Sequence, residues 1–149
     1  MFKIILIGAD IAKRTAKRIG EFDYLVGQPF SVVGFVNPNT SENFTLVNSG
    51  LKWYDLPVYK NLAGIKEKYD SVGIYFNAKH VLFWVQEILK QTQVKNIVIF
   101  AEDVPEKDAR EIVALAKKHQ VNIVGPSSTG ILIPGESRLG EIGGDWLNL

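Results

Sequence analysis

Short apolar runs alternate with amphipathic stretches along most of the chain. The apolar runs predict strands at 4–7, 31–36, 71–76, 96–100 and 121–124. The stretches between them predict helices at 11–21, 61–69, 79–91 and 105–119, the third with apolar residues at helical spacing. Because strands that alternate with helices form a parallel sheet with helices on both faces, we predict an α/β domain with a doubly wound, Rossmann-like parallel sheet.

Two segments depart from this alternation. In residues 43–59, Asn48-Ser49-Gly50 separates two β-prone runs, which predicts a small hairpin as an excursion from the main sheet. Residues 125–144 contain six glycines and two prolines, which predicts an ordered irregular strap, although the same composition also fits a disordered tail. We predict a domain at 1–125, with the strap at 126–149 belonging to the same domain.

The composition narrows the classes of function. The chain has 149 residues, of which 46% are hydrophobic and 22% charged, as expected for one globular domain. A net charge of +1 gives no bulk attraction to nucleic acid or acidic membranes. The chain has no cysteine and two histidines, so disulfides, a thiolate nucleophile and Cys-ligated metals are excluded, and we predict no metal site. We expect a cytoplasmic protein without a membrane span.

Ligands of such sheets bind beyond the carboxyl ends of the strands, where the strand order reverses. This rule selects four loops, 8–14, 37–40, 77–80 and 101–103, which we expect to lie side by side. The first loop leads into a helix, whose N-terminus favours an anion. It has one glycine where a dinucleotide fingerprint has three, so a nicotinamide or flavin site is poorly supported.

The charges of the first loop allow two interpretations. Asp10 is expected to be the N-cap of the first helix, and Lys13 and Arg14 would attract phosphate. Alternatively, the basic residues of this helix form a solvated face. Glu102 and Asp103 either provide a functional carboxylate or begin a turn. We predict no catalytic residue, and we expect His119 to interact favourably with the end of its helix.

Several motifs carry a resemblance to a known family. The strap motifs are Gly125-Pro126, Gly130, Ile133-Pro134-Gly135, Arg138-Leu139-Gly140 and Gly143-Gly144, and an Ala-Glu-x-x-Pro-Glu motif occurs at 101–106. In order and spacing these motifs resemble the CoA-binding domain of the alpha-type subunit of succinyl-CoA synthetase. They are more similar still to the CoA-binding domain of ATP citrate lyase and citryl-CoA synthetase, in which a Gly-Gly pair follows the other strap motifs.

The resemblance implies that coenzyme A lies in the crevice between the four loops. The adenosine and 3′-phosphate would lie across the first and second strand ends, and the pantetheine arm would pass the third and fourth. The residues implied are Ala9, Asp10, Ile11, Lys13, Arg14, Asn37, Pro38, Asn39, Asn77, Ala78, Lys79, Phe100, Ala101 and Glu102. The chain departs from the family at Asp10-Ile11-Ala12 and at Asp103, where the family has smaller or more polar residues in the loop and a glycine, respectively.

The resemblance also implies a partner. In the family a ligase domain with a phosphorylated histidine follows this domain, whereas the present sequence ends at Leu149. We therefore expect a small accessory or CoA-binding subunit of a citryl-CoA synthetase-like complex, not catalytic alone. Residues 126–149, with Trp146 and Leu147, would contact the larger ligase subunits. The alternatives are an independent small CoA-binding or CoA-sensing protein and a fragment of a longer ligase.

Overall fold

The computed structural model describes residues 1–49 and 52–141. Its strands and helices follow in chain order: β1 (Ile4–Ile7), α1 (Asp10–Leu25), β2 (Val32–Val36), β3 (Phe44–Asn48), β4 (Trp53–Tyr59), β5 (Ser71–Ile74), α2 (Ala78–Leu89), β6 (Asn96–Ile99), α3 (Glu106–His119), β7 (Asn122–Val124), β8 (Gly130–Ile133) and β9 (Ser137–Gly140).

The main sheet is mostly parallel and has β1 near its centre. Within the described residues, seven strands form this sheet in the order β3-β4-β2-β1-β5-β6-β7. The chain moves from β1 outward through β2 and then returns to β5 on the other side of β1, so the strand order reverses between β1 and β5. All residues of β1 and β5 are buried, as the unbroken apolar run of β1 predicts for a strand covered on both faces. The Rossmann-like fold is confirmed.

The β3–β4 hairpin belongs to this sheet, so the prediction of an excursion outside it is wrong. β4 pairs in parallel with β2 through Phe35 and Val58, and β3 pairs with β4 in antiparallel register. Val47 and Leu56 on the inner face of the hairpin are buried. The hairpin stays on the sheet because these side chains enter the core. The predicted turn residue Gly50 lies outside the described residues.

The first helix differs from its prediction at both ends. Ala9 occupies the N-cap position and Asp10 is the first helical residue, so the predicted N-cap role of Asp10 is wrong. The helix continues to Leu25 because Phe22 and Asp23 are still buried against the sheet. The Asp23 carboxylate accepts hydrogen bonds from the backbone N–H and the hydroxyl of Ser31, at 2.8 and 2.7 Å, which fixes the helix end to the start of β2.

The predicted helix at 61–69 is reduced to one 3₁₀ turn, Leu62–Gly64. The Asn61 side chain accepts a hydrogen bond from the Gly64 N–H at 3.0 Å, and Ile65 is already extended. Asn61 caps the turn, but glycine at its third position disfavours further helix. The prediction of a helix here is therefore wrong.

The two faces of the sheet are covered by different structures. One face packs against α2 and α3, and the other packs against α1 and the antiparallel β8–β9 hairpin. Residues 130–140 are ordered, as predicted for the strap, but they form this short hairpin instead of an irregular segment. Leu139 is fully buried in the same core as Ile4 and Leu6. The hairpin takes the place of a helix on this face. Residues 142–149, which include Gly143-Gly144, Trp146 and Leu147 of the predicted strap, lie outside the described residues.

Candidate functional site

A small cavity lies at the carboxyl edge of the sheet, where the sequence predicts the ligand crevice. Its volume is about 50 Å³, and it lies between the start of α1 and the loop after β2. Its lining residues are Gly8, Ala9, Asp10, Lys13, Phe35, Asn37, Thr40, Glu42 and Val58. The first and second predicted loops therefore meet in space, as expected.

Gly8 allows the chain to turn sharply between β1 and α1. Its φ is +152°, and its N–H donates to the Val36 carbonyl at 3.0 Å. A Cβ added at this position would lie 2.9 Å from the Cβ of Tyr75, the residue that follows β5. A glycine here therefore brings the helix N-terminus close to the point where the strand order reverses, and the N–H groups at the start of the helix favour an anion there.

The charges at the first loop are divided between two sides of α1. Asp10 is exposed in the first turn, and the Lys13 ammonium lies 3.8 Å from the Glu42 carboxylate across the cavity. Arg14 points away from the cavity, with its Nε 3.9 Å from Oε1 of Glu141. The structure thus separates Lys13 from Arg14, although the sequence predicts that both attract the same phosphates. Ala9 lines the cavity and Ile11 is exposed.

The second loop is held by its own hydrogen bonds. The Asn37 N–H donates to the Tyr59 carbonyl at 2.8 Å, and its side-chain oxygen accepts from the Asn39 N–H at 3.1 Å. Pro38 and Asn39 are exposed at the tip. Glu42 lines the cavity although the sequence did not predict it as a site residue. Its position two residues after the predicted loop at 37–40 was the available signal, and in the structure Thr40 and Glu42 form a short hydrogen-bonded turn there.

The third and fourth loops lie at the same edge of the sheet but contribute no lining residue to this cavity. Asn77 precedes α2, and Ala78 and Lys79 are its first residues. The Phe100 ring stacks on that of Tyr75 with centroids 4.1 Å apart. Ala101 accepts a hydrogen bond from the Ser127 N–H at 2.9 Å, so the chain after β7 closes over the end of β6.

The remaining candidates lie in separate places. Glu102 and Asp103 are exposed, and Asp103 has a φ of +58° within the turn that precedes α3. His119 lies in the last turn of α3, a position where a cationic side chain complements the helix dipole. Among the described residues no group of three or more His, Asp or Glu side chains could hold a metal ion. None of the helices in the described part of the chain is long and apolar enough to cross a membrane.

A mostly parallel sheet with a helix N-terminus at the reversal of strand order defines a Rossmann-like ligand-binding domain. The chain belongs to the CoA binding domain family, whose model matches residues 4–134. It is 31% identical over 128 residues to a probable ATP-citrate synthase subunit 1 from Schizosaccharomyces pombe. The aligned region covers 83% of this chain and 21% of the yeast protein. The resemblance to the citrate branch of the family is confirmed.

Solved structures share the fold. One is ATP citrate lyase from Methanothrix soehngenii in complex with citrate and coenzyme A, with a TM-score of 0.86 and 24% identity over 93% of this chain and 23% of that one. Another is a conserved hypothetical protein from Pyrococcus furiosus, with a TM-score of 0.51 and 23% identity over 83% of this chain and 92% of that one. The same fold therefore occurs as a small part of a large protein and as nearly the whole of a small one.

Proposed function

We propose that this domain binds coenzyme A in the crevice at the carboxyl edge of the sheet, as a small subunit of a citryl-CoA synthetase-like complex. The observation that carries the proposal is the family match over residues 4–134, together with a crevice formed by the first two loops. The region of this chain that aligns with the yeast ATP-citrate synthase subunit covers about a fifth of that subunit. Acyl-CoA chemistry would therefore use residues outside the present sequence.

The residues at the cavity fit the phosphate groups of coenzyme A. The first turn of α1 presents its N–H groups at one wall, and Lys13 supplies a positive charge. Asp10 in the same turn repels an anion, and it is one of the residues at which this loop departs from the family pattern. Coenzyme A would supply the thiol to which an acyl group is transferred.

A cavity of about 50 Å³ is smaller than the roughly 300–1,000 Å³ of usual ligand sites. The pair formed by Lys13 and Glu42 spans this cavity, and both side chains are partly exposed. Binding of the adenosine part would require the segment with Thr40 and Glu42 to move outward. Glu42 would then compete with the ligand for Lys13, and its removal would favour binding.

Calorimetric titration with coenzyme A tests the site. We expect Lys13→Gln to weaken binding about tenfold, the effect of losing one charge-assisted contact. Asp10→Ser should strengthen binding by removing like-charge repulsion, and Glu42→Gln should strengthen it by releasing Lys13. Glu111→Gln, an exposed carboxylate on α3, is the matched control and should leave affinity unchanged. No binding by the wild-type domain, or equal effects of Lys13→Gln and Glu111→Gln, would contradict the proposal.

Co-purification from the source organism tests the subunit role. A tagged chain at native abundance should be recovered with larger polypeptides that carry the remainder of the ligase. Recovery as a free monomer would contradict that role, whatever the affinity for coenzyme A.

The alternative is an independent small CoA-binding or CoA-sensing protein. The similarity to the Pyrococcus furiosus protein, 92% of whose length is covered, favours it, because that chain has little room for another domain. Micromolar binding of coenzyme A by a chain recovered alone would support the sensor. Recovery with larger polypeptides would support the subunit.

A further inference from the structure

A second polar cleft lies between the outward side of α1 and strand β9, away from the crevice described above. Its volume is about 450 Å³. Four of its five lining residues among those described are basic: Arg14, Lys17, Arg18 and Arg138, with Glu21 as the fifth. The whole chain has a net charge of only +1, so this concentration of positive charge is a local feature.

Arg138 is the buried member of this cluster. Only 6% of its surface is exposed, and its Nε donates to the Gly140 carbonyl at 3.0 Å. Burial, followed by the charge of Arg18, lowers the pKa of the Arg138 guanidinium. The carboxylates of Glu141 and Glu21 act on this pKa in the opposite direction, so the β8–β9 hairpin places a buried guanidinium inside a cluster of mixed charge with an excess of cations.

The carboxylates around the cleft compensate only part of this charge. Glu21 lies 3.9 Å from the Lys17 ammonium, and Glu141 lies 3.9 Å from Nε of Arg14. Glu141 also accepts a hydrogen bond from the Thr15 hydroxyl at 3.2 Å, which fixes its position at the rim. Both carboxylates pair with cations of α1 and also act on Arg138, so among the described residues two carboxylates stand against the four basic side chains of the cleft.

We propose that the cleft between α1 and β9 is a binding site for a compact anion of the phosphate class, separate from the coenzyme A crevice. Three of the four basic residues are arginines, whose planar forks match phosphate oxygens in pairs. The cleft volume is within the range of small-molecule sites and exceeds that of the crevice cavity. Arg14, which the sequence assigned to coenzyme A, belongs to this second site.

The test is a titration of the full chain with inorganic pyrophosphate. Calorimetry measures the affinity, and changes in amide chemical shift locate the bound anion. We expect a binding event at the cleft, with the largest shifts at residues 14–21 of α1 and at residues 137–141, which comprise β9 and the residue after it. Arg18→Gln should weaken it about tenfold, because one charge-assisted contact is lost. Glu21→Gln should strengthen it, because the only carboxylate among the lining residues described is neutralised.

Two control variants localise the event. Arg110→Gln removes an exposed arginine from α3, on the opposite face of the sheet, and should leave the affinity unchanged. Lys13→Gln, in the coenzyme A crevice, should leave pyrophosphate binding at the cleft unchanged as well. The proposal is overturned if pyrophosphate does not bind, if Arg18→Gln and Arg110→Gln have equal effects, or if Lys13→Gln abolishes binding and the shifts lie at residues 8–13.

Discussion

The two antiparallel hairpins of this domain have opposite relations to the core. The β3–β4 hairpin extends the edge of the main sheet, and its outer face leaves Phe44, Leu46 and Trp53 largely exposed. The β8–β9 hairpin lies over a face of the sheet, and all four residues of β9 are buried. The first hairpin thus adds width to the sheet, whereas the second completes a layer.

This difference shows that local pattern does not decide what a hairpin contributes. The first hairpin alternates exposed and buried residues, as a half-buried strand pair should, and its position at an edge follows from pairing with β2. The second is rich in glycine and contains a buried arginine, yet it covers the core that α1 leaves open. Its role comes from the layer architecture, which requires both faces of the sheet to be covered.

The largest expected effect follows from removing the apolar residue that joins the second hairpin to the core. Leu139 is fully buried, so Leu139→Ala should lower the free energy of unfolding by about 2–5 kcal/mol through lost burial and a residual cavity. Leu46→Ala, the same change on the exposed face of the first hairpin, should change it by less than about 0.5 kcal/mol. Urea denaturation of both variants measures the contrast, and equal losses would remove the distinction between the hairpins.

The next effect concerns the close backbone contact within the second hairpin. Gly140 has a φ of +124°, and a Cβ there would lie 2.5 Å from the Thr129 carbonyl oxygen. Gly140→Ala should cost about 2–3 kcal/mol, because backbone strain and overpacking add. Gly135→Ala at the hairpin tip is the control, since its Cβ meets nothing within 4 Å and only its φ of +70° opposes the change, at about 1 kcal/mol. Thermal and urea denaturation should rank the two variants in that order.

The sequence predicts the parallel strands well because short runs of mainly apolar residues between amphipathic segments fit a sheet with helices on its faces. It fails for β8 and β9, since glycines with positive φ are compatible with turns, straps and close-packed hairpins alike. The first two loops of the crevice are predicted because carboxyl ends of parallel strands share an edge.

The sequence alone did not predict that the side chains of Lys13 and Arg14 lie on different sides of α1. Neighbouring residues of a helix point about 100° apart, so one can face the crevice while the next faces the opposite side. Arg14 turns toward Glu141, a residue that follows β9. Only the packing of the β8–β9 hairpin against α1 determines this direction, and that packing joins parts of the chain more than a hundred residues apart.

A smaller effect is expected where the second hairpin holds the N-terminus. The Ser137 hydroxyl is buried and accepts a hydrogen bond from the Phe2 N–H at 3.1 Å. Ser137→Ala should lower the free energy of unfolding by about 1 kcal/mol, the usual contribution of such a bond. Ser41→Ala, an exposed serine before β3, should have no measurable effect. Amide hydrogen exchange at Phe2 should accelerate in Ser137→Ala, and unchanged exchange would show that the bond does not hold the N-terminus.

The smallest effect on stability is expected at the outer face of the first hairpin. Trp53 is 62% exposed, so Trp53→Ser should change the free energy of unfolding by no more than about 0.5 kcal/mol. The same variant should bind less of a hydrophobic dye such as anilinonaphthalene sulfonate, because Trp53 lies with Phe44 and Leu46 on an exposed apolar face. Trp84→Ser is the matched control: this tryptophan is buried and stacks on Phe76 at 5.4 Å, and its loss should cost several times more. A loss at Trp53 comparable to that at Trp84 would mean that the outer face of the edge hairpin is packed as tightly as the core. The contrast between an edge hairpin and a layer-forming hairpin would then fail.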